Sequence, residues 1–122
     1  MIALYIFLCY NRFMKLAIIG SRSITSLDIS KYLPQNINCI ISGGAIGVDN
    51  LAEQYADTHN IPKLILKPDY KRYGLKAPLI RNKLIIDACD TIVAFWDGKS
   101  KGTIHAVDYA KSQNKKVVLY LC

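Results

Sequence analysis

Residues 40–56 read IISGGAIGVDNLAEQYA, with Gly43, Gly44 and Gly47 placed between an apolar run and a helical pattern, and Asp49 directly after them. Glycine permits positive φ and close approach to the backbone. The helix start that follows carries free N–H groups and partial positive charge, which suits a phosphate. A tight strand-to-helix turn with nothing bound would use the same residues, so both readings stand. Three further stretches carry comparable chemistry. In GSR, Gly20 lets the chain pass close to a ligand and the Arg22 guanidinium can fork onto a phosphate. In KSKGT, Ser100, Gly102 and Thr103 offer hydroxyls and amides at a helix start, although plain N-capping uses the same residue types. In APLIRNK, Arg81 and Asn82 are expected in the first turn of a helix, where a cation opposes the dipole and invites a counter-anion. Asp49, Asp97 or a bound phosphate would serve. Ahead of that helix, Tyr70 and Tyr73 stand among Lys67, Lys71, Arg72 and Lys76, a pairing suited to bases stacked beside phosphates.

The charge distribution points the same way. The chain of 122 residues carries +7, yet its first 62 residues are balanced and the whole excess lies between Lys63 and Lys116. An anionic partner, whether nucleotide or nucleic acid, fits such a half; so does a solvated basic face. An apolar fraction of 52% against 20% charged residues is that of a globular domain. Cys9, Cys39, Cys89 and Cys122 are scattered without C-x-x-C spacing or a histidine pair, so no zinc site or disulfide framework is legible, and a reducing, cytoplasmic location is the default. Walker spacing and G-x-G-x-x-G are both missing, which removes support for the common ATPase and dinucleotide dehydrogenase readings, and no cofactor is expected. Residues 1–13, MIALYIFLCYNRF, are too short to span a bilayer and lack a signal-peptide layout. Met14 opens the ordered pattern, and the segment before it is expected to be an apolar extension outside the domain.

These side chains need elements to hold them. Apolar runs at Lys15–Gly20, Ile37–Ser42, Lys63–Lys67, Thr91–Trp96 and Lys116–Leu121 read as strands. Thr25 or Ser26 is expected to cap a short helix that ends at Pro34. Val48, Leu51, Ala52, Tyr55 and Ala56 fall on one helical face. Further helices are expected over 79–88 and 103–113. Strands that are apolar throughout and alternate with helices make a parallel sheet covered on both faces. The predicted architecture is a single α/β Rossmann-like domain with five parallel strands in the order 3-2-1-4-5. Every unusual loop follows a strand, so all gather at the carboxyl edge, where such sheets bind ligands.

The segments IIGSR, ISGGAIGVD, DYKRYGLKAPLIRN and FWDGKSKGT, in that order, resemble the SLOG superfamily of Rossmann-like proteins, and within it the small YspA-like, YpsA-related (DUF2493) branch. The resemblance runs from about Met14 to Cys122. It implies binding of a nucleotide or nucleotide derivative, such as an ADP-ribose-like, NAD-like or nucleoside monophosphate molecule, with the protein acting as sensor or effector component. The implied site comprises Gly20, Ser21, Arg22, Ser42, Gly43, Gly44, Gly47, Asp49, Arg81, Asn82, Asp97, Ser100, Gly102 and Thr103, with Tyr70 or Tyr73 over the base. Two relatives imply alternatives. The phosphoribohydrolases cleave the N-glycoside of nucleoside monophosphates with a glutamate that follows PGGxGT; here His105 stands at that position and is expected on the solvent side of its helix. Such an enzyme would have to use Asp49 or Asp97 with Arg81. The DNA-processing protein A family, which shares an SG-A-G-D signature and an RN helix start, implies single-stranded DNA binding. Relatives commonly dimerise, so a homodimer is a further expectation, and a membrane partner is not.

Overall fold

The computed structural model describes Met14–Cys122; the extension expected over residues 1–13 lies outside the described residues. Five strands, β1 (Met14–Gly20), β2 (Ile37–Ser42), β3 (Lys63–Ile65), β4 (Thr91–Trp96) and β5 (Lys116–Leu121), form one parallel sheet in the order β3-β2-β1-β4-β5. The helices are α1 (Val48–Thr58), the single turn α2 (Tyr70–Tyr73), α3 (Ala77–Ala88) and α4 (Lys101–Ser112). The helix expected before Pro34 is one 3-10 turn, Ile29–Tyr32, and Asp28 caps it in place of Thr25 or Ser26 by accepting from the Ser30 amide.

The alternation of side chains along each strand decides which helix covers which face. Ala17, Ile19, Ile41, Ile92 and Ala94 point to one side and pack on Ile85 and Ile86 of α3 and on Ala106, Val107 and Ala110 of α4. Leu16, Ile18, Ile40, Val93 and Phe95 point to the other and meet Val48, Ala52 and Ala56 of α1 with Ile29 of the 3-10 turn. Burying a side chain of this size contributes about 1.5–3 kcal/mol, which explains why central strands with no polar face are stable here. Cys89 is buried in the first of these clusters and its thiol is pushed up to about 11 by burial, so it acts as a small hydrophobe.

From β1 in the middle of the sheet the chain moves outward through β2 and β3, then returns to β4 on the other side of β1. The two halves of the sheet part at the carboxyl ends of β1 and β4, where a crevice forms in open α/β sheets. Hydrogen bonds stitch its floor: the Ser21 amide donates to Phe95 O (3.0 Å) and the Asp97 amide donates to Ser21 Oγ (3.0 Å).

Candidate functional site

Two cavities lie side by side along the carboxyl rim. The first, about 460 Å³, is lined by Gly20, Arg22, Asp49, Arg81, Asn82, Asp97, Ser100, Gly102 and Thr103 among the expected residues. The second, about 370 Å³, is lined by Gly43, Gly44, Lys67 and Pro68, and it shares Arg22, Ala45 and Arg81 with the first. Together they make a groove that runs from the start of α4 across to the segment after β3, with two guanidinium groups at the junction.

Arg81 is 8% exposed and held on three oxygens. Its Nε donates to Asn82 Oδ1 (2.9 Å), and its Nη1 donates to Gly43 O (2.6 Å) and Leu66 O (3.4 Å). Among the described residues Nη2 has no hydrogen-bond partner. The expectation that Arg81 sits in the first turn of its helix is corrected: α3 begins at Ala77 with Pro78 behind it, so Arg81 lies in the second turn. Proline is tolerated there because first-turn amides lack intrahelical acceptors. The anion-attracting feature is therefore the neighbouring charge and not the helix dipole. Burial first, and then the nearby Arg22 charge, hold the Arg81 pKa below its ordinary value, while Asp49 and Tyr70 act in the opposite direction. Arg22 is exposed, and among the described residues it has no salt-bridge partner.

The glycine-rich turn lines the second cavity at Gly43 and Gly44 and packs on the loop after β1 at Gly47. Gly47 has φ +80°, and a Cβ there would lie 2.5 Å from Arg22 O and 2.6 Å from Ser21 O. The Val48 amide donates to Ser21 O (3.4 Å), so the loop after β1 closes the amino end of α1. Gly43 is required for another reason: a Cβ would meet Arg81 Nη1 at 2.6 Å and Asp49 Oδ2 at 2.8 Å, so only glycine lets the two charged groups converge. Asp49 is 7% exposed and accepts from the Ala45 amide (3.2 Å). Burial pushes its carboxyl up, against the pull of that amide and of Arg81.

At the opposite end, Ser100 caps α4 by accepting from the Thr103 amide (3.3 Å), and its hydroxyl also pairs with Thr103 Oγ1 (3.0 Å). Both hydroxyls are thus engaged within the helix start, while the Lys101 and Gly102 amides have no acceptor among the described residues. The space beyond Gly102 is open, with no atom within 4 Å of a Cβ built there. Asp97 is a latch: Oδ2 accepts from Ser23 Oγ (2.7 Å) and Oδ1 accepts from the Lys99 and Ser100 amides (both 2.8 Å). These bonds, with Ser23 foremost, hold its carboxyl well below the usual carboxylate range, which makes it a poor proton acceptor.

Four expected residues line neither cavity. Ser21 and Ser42 are buried, Ser42 donating to Ile18 O (2.7 Å); Gly47 faces the β1 loop; Tyr70 is exposed at the rim, close enough to act on Arg81. Tyr73 also stands outside, with Arg72 over its ring at 5.2 Å. His105 is not on the solvent side as expected: it is half-buried, and its Nδ1 is shut from solvent with no hydrogen-bond partner among the described residues. Ser23, Ala45 and Pro78 line the first cavity without having been singled out. Ser23 was the findable one, since it continues the GSR turn and carries a hydroxyl. Among the described residues no group of His, Cys, Asp and Glu could hold a metal ion, and no helix is long and apolar enough to cross a membrane.

No protein-family model and no curated protein matches the sequence. Solved structures do match. DNA processing protein A (DprA) from Streptococcus pneumoniae superposes with a TM-score of 0.71 at 20% identity, over 89% of this chain and 50% of that one. This chain shares its fold with DprA. A second DprA, from Helicobacter pylori, a protein that binds single-stranded DNA, gives a TM-score of 0.66 at 23% identity over 87% of this chain and 64% of its own. The chain thus spans between half and two thirds of these DprA chains. The shared architecture is the five-stranded, Rossmann-like parallel sheet.

Proposed function

We propose that this chain binds single-stranded DNA through its phosphates, laid along the rim groove. The observation that carries this reading is the continuity of the groove: two cavities of about 460 and 370 Å³ meet at Arg22 and Arg81. A phosphate held at that junction has a path out on either side, which a polymer needs and a mononucleotide does not. Lys67 lines the second cavity, and Lys71, Arg72 and Lys76 continue the positive surface beyond it, with Tyr70 and Tyr73 placed to stack on bases. The DprA likeness supports the same reading through its Helicobacter pylori member. The narrower placement in the YspA-like, DUF2493 branch rests on the four loop segments, and a cytoplasmic site follows from the scattered cysteines.

The test is fluorescence anisotropy with a labelled fifteen-nucleotide thymidine oligomer. Neutralising about four phosphates on a single strand gives a slope of log K against log salt near −3. Arg22→Ala is the informative variant because its side chain is exposed and, among the described residues, has no salt-bridge partner, whereas Arg81 is anchored on three oxygens. It should weaken binding about tenfold and flatten the slope by roughly 0.7. Unchanged affinity in Arg22→Ala and Lys67→Ala would remove the groove from consideration.

A second reading has its own support. The first cavity alone presents Asp49, Asn82 and the free α4 amides around one pocket, the chemistry that fits a ribose and a phosphate of an ADP-ribose-like molecule or a nucleoside monophosphate. Binding of AMP or ADP-ribose without DNA affinity would select it, and release of free base would make the protein an N-glycoside hydrolase working through Asp49.

A further inference from the structure

The connection from β3 to α3 is shaped by its own backbone. Asp69 caps α2 by accepting from the Arg72 amide (3.1 Å), and Gly74 ends it at φ +59° while its amide donates to Tyr70 O. A 3-10 turn, Gly74–Lys76, then leads straight into α3, where the Ala77 amide donates to Gly74 O. No residue from Tyr70 to Lys76 is buried, so these bonds, and not a core, hold the turn in one form. Lys67 and Pro68 before it line the second cavity, and Arg81 after it lines both, so the turn adjoins the groove.

Leu75 within this turn is 97% exposed, more than any other large apolar side chain among the described residues. A leucine in that state adds nothing to the core, because only burial makes it stabilising. Single exposed leucines are common, but the surroundings of this one select a partner. Lys71, Arg72 and Lys76 flank it, all exposed and without a salt bridge among the described residues. Between Tyr70 and Ile86 the sequence holds five basic side chains and no acidic one, so whatever covers Leu75 is a polyanion with an apolar face. DNA offers that combination where base pairing stops: the last pair presents a flat apolar surface bordered by the phosphates of both strands. Leucine has no ring to stack on a loose base, but it is one of the side chains that wedge between base steps.

We propose, building on the single-strand reading of the groove, that Leu75 wedges against the end of a DNA duplex one strand of which continues unpaired into the rim groove. The preferred substrate is then a junction between duplex and single strand. Leu75 enters between the last base pair and the first unpaired base. Lys71, Arg72 and Lys76 reach phosphates of the paired part, while Arg22 and Arg81 hold those of the strand that leaves it. A single strand alone meets the groove and gains nothing from the leucine; a blunt duplex meets the leucine and leaves the groove empty.

Fluorescence anisotropy on matched probes tests this: the fifteen-nucleotide thymidine oligomer, a blunt duplex, and that duplex with a fifteen-thymidine tail at either the 3′ or the 5′ end. The duplex tailed with one polarity should bind about tenfold more tightly than the oligomer, and the blunt duplex more weakly than both. Leu75→Ser should bring the tailed duplex level with the oligomer, while its melting curve and its affinity for the oligomer match the parent. A 2-aminopurine placed as the first unpaired base should brighten as the parent unstacks it and stay dim with Leu75→Ser. A parent that binds the oligomer and both tailed duplexes equally, or a Leu75→Ser chain that keeps the preference, overturns the proposal and leaves the groove reading standing. A parent with no affinity for the oligomer removes the groove reading and the junction with it. Binding to phosphatidylserine vesicles that Leu75→Ser abolishes, without any junction preference, would assign the leucine to a membrane surface and overturn the proposal.

Discussion

Asp49 is the side chain with most to lose by being charged. Its carboxyl is raised above the ordinary 3.8 chiefly by burial, so the protonated form is the one the fold prefers. A carboxyl raised on folding contributes fully below its unfolded pKa, and that contribution is lost as pH rises through the folded value. Asp49→Asn should therefore melt above the parent near pH 7, with the gap closing as the buffer is taken down to about pH 4 and below. Removing the charge also takes a negative neighbour away from Arg22 and Arg81, so the same variant should bind the oligomer more tightly at neutral pH. Equal melting curves at both pH values would show that Arg81 fully offsets the burial. None of this was visible in the order of residues: Asp49 stood out beside the glycines, but its burial and its meeting with Arg81 across Gly43 join positions separated by dozens of residues.

At the level of elements, the strands were the most legible part. β2, β4 and β5 have the bounds their apolar runs give, since each run is cut off by polar or glycine-rich residues, and the order of the sheet follows from strict alternation with helices. Helix starts were less legible because two signals misled. Pro78 sits in the first turn of α3, ahead of the start expected at residue 79, and the Ser and Thr residues before Pro34 lose the capping role to Asp28. Within the glycine-rich turn Gly43 and Gly44 line the second cavity, whereas Gly47 is pressed on the loop after β1, a contact that no local pattern announces. The reverse holds after β4, where Asp97 organises its own loop. Asp97→Ala should free the Lys99 and Ser100 amides and unseat the cap of α4. Hydrogen exchange at those two amides should rise at least tenfold while exchange within β1 and β4 stays slow; protection that persists would mean the turn holds itself without the carboxylate.

For the molecule as a whole, the +7 charge is unevenly placed along the chain and over the two ends of the sheet. Lys67, Lys71, Arg72, Lys76, Lys99 and Lys101 follow strand ends on the carboxyl side, whereas Lys63 and Lys116 open β3 and β5 at the amino end. One feature of the rim sets folding and binding at odds. Gly102 occupies the first turn of α4 with vacant room beyond it, so alanine there costs no clash and should gain up to about 1 kcal/mol of helix stability. The added methyl would project into the volume assigned to the phosphate. Gly102→Ala should thus melt higher and hold DNA more weakly, and a chain refined only for durability would not carry glycine at this place.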